Sequence, residues 1–142
     1  MSFYSGKYYE IKNLDKEKDI IYTRFFSDVS GKILDVGCSV GNFISLDPSN
    51  IIGIDIDRDA LKVCKRRGFK VYYNDINNKL KFPNNFFSAI HCRHVIEHLQ
   101  NPLKTLKEFY RILKKNGKLV IFTVDIKRLG LIFGMIIHTK HH

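Results

Sequence analysis

Apolar and polar positions along this chain alternate between two periods. Short, nearly continuous apolar runs fall at residues 32–36, 51–55, 70–73, 88–92 and 118–124. Runs of that length, bounded by turn residues, are the pattern of strands buried on both faces. Helical spacing fills the intervals. In residues 15–26, Ile20, Ile21 and Phe25 fall on one side. Residues 58–67 follow Asp57, a good cap, and stop at Gly68. In residues 101–115, Leu103, Leu106, Tyr110 and Leu113 recur at steps of three and four. Shorter helices are predicted at 42–46, stopped by Asp47-Pro48, and at about 94–99, ahead of Pro102. Repeated β-α-β units with right-handed crossovers predict an α/β protein: a parallel sheet with helices on both faces.

The richest stretch is residues 32–43, Lys-Ile-Leu-Asp-Val-Gly-Cys-Ser-Val-Gly-Asn-Phe. Its strand ends with Asp35 and runs into a turn bracketed by Gly37 and Gly41, where missing side chains let backbone approach a ligand. A dinucleotide fingerprint G-x-G-x-x-G fails, because its second and third glycines would fall on Ser39 and Asn42. What stands is D-x-G-x-S-x-G, followed twenty residues after Asp35 by a second apolar strand tipped with Asp55. An acid there can accept both hydroxyls of a ribose with a free 2′ position. It could also be an ordinary turn acid.

Four segments in register, Asp35 to Gly41, Asp55, Asn74-Asp75-Ile76 and His94-Val95-Ile96-Glu97-His98-Leu99, resemble successive motifs of class I S-adenosylmethionine-dependent methyltransferases. The resemblance covers about residues 8–125 and is closest to the small-molecule branch, which includes quinone and sugar methyltransferases. It implies a doubly wound, Rossmann-like sheet of strand order 3-2-1-4-5, with the ligand at the ends of adjacent strands 1 and 4. S-adenosylmethionine would be the cofactor, S-adenosylhomocysteine its product and a small molecule the acceptor. The turn from Gly37 through Cys38 and Ser39 to Gly41 would pass under the methionine part. Asp35 would either contact the cofactor's ammonium or fix the turn. Asp55 would hold the ribose and Ile56 flank the adenine. Asp75 would accept from the adenine amino group, while the Ile76 amide reaches a ring nitrogen. Arg93 would meet the amino group through its backbone.

Methyl transfer from a sulfonium needs alignment above all, and a base only where the acceptor must lose a proton. His94 is the candidate base; His98, beside Glu97, reads as a capping and packing residue, and His91, inside a strand, as structural. Phe3, Tyr4, Tyr8 and Tyr9 form an aromatic arm that could close over the site or pack as an edge.

Departures from the family concentrate at the end. Its members continue past strand 5 into strands 6 and 7, which this sequence is expected to lack, since it stops at His142. The apolar tail 129–137 is too short to span a membrane. Strand 5 would then be an apolar edge. Either the tail folds back over it, or another chain covers it in a homo-oligomer, or the protein is a shortened copy of a longer enzyme. Ser39 replaces the commonest glycine and Ser88 the usual aspartate. His138, His141 and His142 lie in the tail, and no metal site is expected.

Length and composition constrain the rest. At 142 residues the chain is expected to be one domain, residues 1–30 forming the arm and first helix and 126–142 the tail. Three cysteines without C-x-x-C spacing exclude a disulfide framework or a cysteine zinc site. Cys38 and Cys92, at the ends of adjacent strands, read as buried filler. The first residues lack a signal-peptide pattern, so the cytoplasm is expected. A net charge of +10 raises nucleic acid as a partner. Lys104, Lys107, Arg111, Lys114 and Lys118, however, form one basic stripe on the helix face turned away from the sheet. A solvated face is therefore favoured over an RNA surface. Two alternatives to the small-molecule enzyme stand: an RNA or protein methyltransferase, and a catalytically silent cofactor-binding remnant acting through a partner.

Overall fold

The computed structural model describes residues 14–93, 95, 98–125 and 131–138. Its elements are α1 (Leu14–Phe25), β1 (Ile33–Val36), a 3-10 turn (Ile44–Leu46), β2 (Ile51–Asp55), α2 (Arg58–Arg66), β3 (Val71–Tyr73), β4 (Phe87–Arg93), α3 (Pro102–Ile112), β5 (Leu113–Asp125) and β6 (Leu131–His138). The sheet order is β3-β2-β1-β4-β5-β6. The first five strands pair in parallel, in the expected 3-2-1-4-5 order.

Alternation along the strands divides the core in two. Ile33, Ile51, Val71, Ala89 and Val120 pack beneath Ile21 and Phe25 of α1, Phe26 just after it, and Leu61 of α2. Leu34, Ile52, Ile90, Leu119 and Ile121 pack on the other face against Phe109 and Ile112 of α3. The central strands β1, β2 and β4 thus bury both faces, which is why their sequences read as apolar runs, while edge strand β3 exposes Tyr72 and Tyr73. The cap on α2 is Asp57, whose Oδ1 accepts from the N–H groups of Asp59 and Ala60 at 3.0 and 3.1 Å.

Three expectations need correction. A strand does follow β5: β6 runs antiparallel to it along its length, pairing Lys118 with His138 and Asp125 with Leu131. Of the three outcomes for the exposed edge, the chain's own tail takes it, because an apolar strand left with unpaired N–H and C=O groups recruits the nearest extended segment. Second, α3 ends at Ile112 and β5 starts at once, with Phe87 opposite Leu113 and a register shift before Ala89 meets Lys118. Lys114 and Lys118 therefore leave the helical stripe. The Lys118 ammonium instead donates to the Phe25 carbonyl at 2.8 Å and to Asp28 at 3.2 Å. Third, residues 42–46 form only a 3-10 turn. Among the described residues no helix is long and apolar enough to cross a membrane, and no cluster of His, Cys, Asp and Glu could hold a metal ion.

Candidate cofactor site

The turn after β1 is tied down by its neighbours on every side. Gly37 and Gly41 take φ of +74° and +91°, and Ser39 between them φ of +51°, backbone that costs a glycine little. The N–H groups of Gly37 and Cys38 both donate to the Ile54 carbonyl, at 2.9 and 3.0 Å. Ser39 N–H donates to Asp55 Oδ2 at 2.8 Å, and Asp57 N–H to Asp55 Oδ1 at 2.9 Å. From α2's end, Arg67 donates to the Val40 carbonyl at 2.8 Å and to Asn42 at 3.1 Å. Asp55 therefore braces two backbone segments, and each of its carboxylate oxygens keeps further acceptor capacity.

Two hollows open at the carboxyl ends of the strands and meet at Gly37 and Arg93, which line both. The first, about 280 Å³, is bounded by Asp35, Cys38, Ser39, Asn42, Phe43 and His91. The second, about 500 Å³, is bounded by Asp55, Ile56, Asp75, Ile76, Val95 and His98. Ile56, 60% exposed, is an apolar side chain held at the rim of the second hollow. A loop pinned from two sides forms that hollow's wall. The buried Asn74 accepts from Lys81 N–H at 3.0 Å and donates to the Asp75 and Lys79 carbonyls at 3.2 and 3.4 Å. Asp75 accepts from Asn77 N–H at 2.9 Å, and Thr105 of α3 donates to the Ile76 carbonyl at 3.2 Å. Below the loop, Glu108 accepts from Leu80 N–H at 2.8 Å and is clamped by Arg111, which also donates to the Leu80 and Phe82 carbonyls. The guanidinium holds the Glu108 carboxyl below its usual range, and Glu108 in turn raises Arg111.

Every candidate cofactor residue except Gly41 lines one hollow or both. Gly41 closes the turn, donating to the Cys38 carbonyl at 3.0 Å. A Cβ there would sit 2.6 Å from the Phe69 ring. His94, the candidate base, lies outside the described residues, as does the aromatic arm. His98 is exposed beside the second hollow.

The residue the sequence understated is His91. Parallel register sets it directly beside Asp35, and its Nδ1 lies 2.8 Å from Asp35 Oδ1 with both side chains about 5% exposed or less. An ionised carboxylate only accepts, so Nδ1 carries the hydrogen. Phe43 stacks on the imidazole at 3.9 Å, while Phe26 meets it edge-on. Its Nε2 is buried and has no hydrogen-bond partner among the described residues. The available signal was one polar residue inside an apolar strand, at the same depth as Asp35.

The cysteines read as buried filler are buried. Cys92 packs on the α3 face, opposite Cys38. Cys38 instead shares its face with Cys64, whose thiol donates to the Ser39 carbonyl at 3.0 Å. All three cysteines are free and buried. Burial pushes the Cys38 and Cys64 thiols up, so both stay protonated at neutral pH.

A family profile described as "Methyltransferase domain" matches residues 34–121, from β1 into β5. The chain belongs to the class I S-adenosylmethionine-dependent methyltransferase family. It is 35% identical over 111 residues to an uncharacterized protein of Methanocaldococcus jannaschii, covering 78% of this chain and 48% of that protein. To the demethylmenaquinone methyltransferase of Symbiobacterium thermophilum it is 31% identical over 101 residues, 62% of this chain and 40% of that one. The fold is shared with phosphoethanolamine N-methyltransferase 2 of Haemonchus contortus, solved in complex with S-adenosyl-L-methionine. That match has a TM-score of 0.68 and 24% identity, covering 76% of this chain and 28% of the other. The methyltransferase chain described here spans about half the length, or less, of the curated relatives it matches.

Proposed function

We propose that this chain binds S-adenosylmethionine and transfers its methyl group to a small-molecule acceptor. The observation that carries the reading is the two-lobed hollow, jointed at Gly37 and Arg93, with an acid on each side. The lobes together fall in the volume range of ligand sites, roughly 300–1,000 Å³. Their chemistry suits the cofactor's two halves. Asp55 offers lone pairs to ribose hydroxyls, Ile56 an apolar flank to adenine, and Asp75 with the Ile76 amide an acceptor and a donor for its edge. The first hollow offers polar groups around an aromatic wall for the amino-acid half. When bound, the cofactor supplies a methyl group on a positively charged sulfur. The chain's own part is to orient that group at the joint and exclude water behind it.

Calorimetric titration with S-adenosylmethionine and S-adenosylhomocysteine, on wild type and Asp55→Ala, tests this. Micromolar binding that the substitution weakens by tenfold or more is expected. Absence of binding by folded wild type overturns the reading. Binding without turnover across a panel of phenolic, quinol and amine acceptors would instead favour the silent-remnant alternative.

One observation favours an RNA acceptor as a second reading. Tyr72 is 45% exposed on edge strand β3, and with Lys70, Lys81, Phe82 and Phe86 it lines a third hollow that shares Asn74 with the second. Aromatic and basic groups together suit stacked bases, and such binding weakens steeply with salt.

A further inference from the structure

We propose that His91 reads the amino-acid end of the cofactor: its neutral imidazole, fixed by Asp35, accepts a hydrogen bond from the cofactor's α-ammonium through Nε2. This inference rests on the proposed cofactor reading and gives a role to a residue whose place inside a strand marked it only as structural.

The argument starts from two buried polar groups that satisfy each other only in part. Asp35 Oδ1 takes the Nδ1 hydrogen at 2.8 Å, which leaves Nε2 as a bare lone pair. That atom is buried without a partner among the described residues, a state that carries a desolvation cost unless a ligand completes it. His91 lines the first hollow beside Gly37 and Asn42, so the group that completes it comes from whatever occupies that hollow. Charge narrows the choice. An ionised Asp35 with a neutral imidazole gives the pair a net negative charge, held where water is scarce, and an ammonium donor offsets that charge while satisfying Nε2. Asp35, committed to His91, then acts on the ligand through the ring, as a positioning residue.

The ring is walled by aromatic side chains. Phe43 stacks on it, Phe26 just after α1 and Phe122 of β5 stand around it, and Ile21 of α1 lines the same hollow. Among the described residues, the titratable or charged groups that line the hollow with it are Asp35 from β1, Arg93 from its own strand and the Cys38 thiol from the turn, which burial keeps protonated. Protonating His91 turns Nε2 into a donor and sets a positive charge against the ammonium.

The test uses two ligands that differ only there. S-adenosylhomocysteine has the amino-acid end; 5′-methylthioadenosine keeps the adenosine and thioether without it. In calorimetric titrations, His91→Asn retains a donor for Asp35 but no atom at the Nε2 position. It should weaken S-adenosylhomocysteine by about tenfold or more, the range for a hydrogen bond to a charged group, with 5′-methylthioadenosine held within about twofold. Retained binding of the second ligand certifies the variant's fold. His91→Gln, whose amide reaches the Nε2 position, should recover part of the loss. Equal losses for both ligands, or no loss in His91→Asn, overturns the inference while leaving the cofactor reading in place. If wild type binds neither ligand, the cofactor reading itself falls, and this inference with it.

Discussion

The two lobes of the site are built by opposite means. The first is made by side chains inside the sheet: Asp35 and His91 sit side by side on adjacent strands, buried under aromatic rings. The second is made by loops beyond the sheet, where Asp75 and Ile76 hold their places through Asn74, Thr105 and the Glu108–Arg111 pair. In the first lobe the groups that the hollow offers to a ligand are also part of the core, so a change there bears on recognition and stability together. In the second, recognition sits on backbone that other residues support, so shape can be loosened without loss of the fold.

The largest effect should come from removing the shared carboxylate of the buried lobe. Asp35→Ala leaves the imidazole Nδ1 without its acceptor and opens space beside it, and should cost about 2–4 kcal/mol of unfolding free energy in urea denaturation. A loss under about 0.5 kcal/mol, the range of ordinary surface changes, would break the contrast, because the pair would then not belong to the core. A smaller effect is expected at the loop lobe. Thr105→Val removes the bond to the Ile76 carbonyl and should cost about 1 kcal/mol. It should weaken S-adenosylhomocysteine and 5′-methylthioadenosine by the same factor, since only the adenosine side is disturbed. Unequal losses would mean the lobes communicate.

The smallest effect sharpens the comparison through pH. Glu108 has its folded pKa lowered, first by its hydrogen bond with Arg111. Its stabilising contribution is therefore present above the unfolded value near 4.5 and is lost as the pH falls through the lowered folded value. Glu108→Gln should be less stable than wild type at pH 7 by about 1 kcal/mol, and the gap should close in acid. A gap that persists unchanged to pH 3 would show that the carboxylate charge contributes nothing to holding the loop.

The fold was legible because its signals are local. Five apolar runs with helical intervals specify a parallel sheet, and the acid at the end of β1, the glycine turn and the acid at the end of β2 mark one site at the strand ends. Asp57 and Gly68 bracketed α2 correctly, since capping depends on near neighbours. The end of α3 was misplaced because Leu113 continues the helical period, yet its partner is Phe87 of β4, far along the chain. The same holds for β6. Its apolar run was visible, but a strand is defined by what it pairs with, and β5 supplies the partner.

The sequence by itself determined which residue types stand at the strand ends, and so the family and the kind of ligand the site suits. Only the tertiary structure decided that Asp35 is committed to His91, that Cys38 lies with Cys64 rather than Cys92, and that Gly41 braces the turn without lining the hollows. The physical reason is register. Side chains on neighbouring strands meet according to how the strands are aligned and which face each residue takes, and a shift of one residue would send His91 to the opposite core.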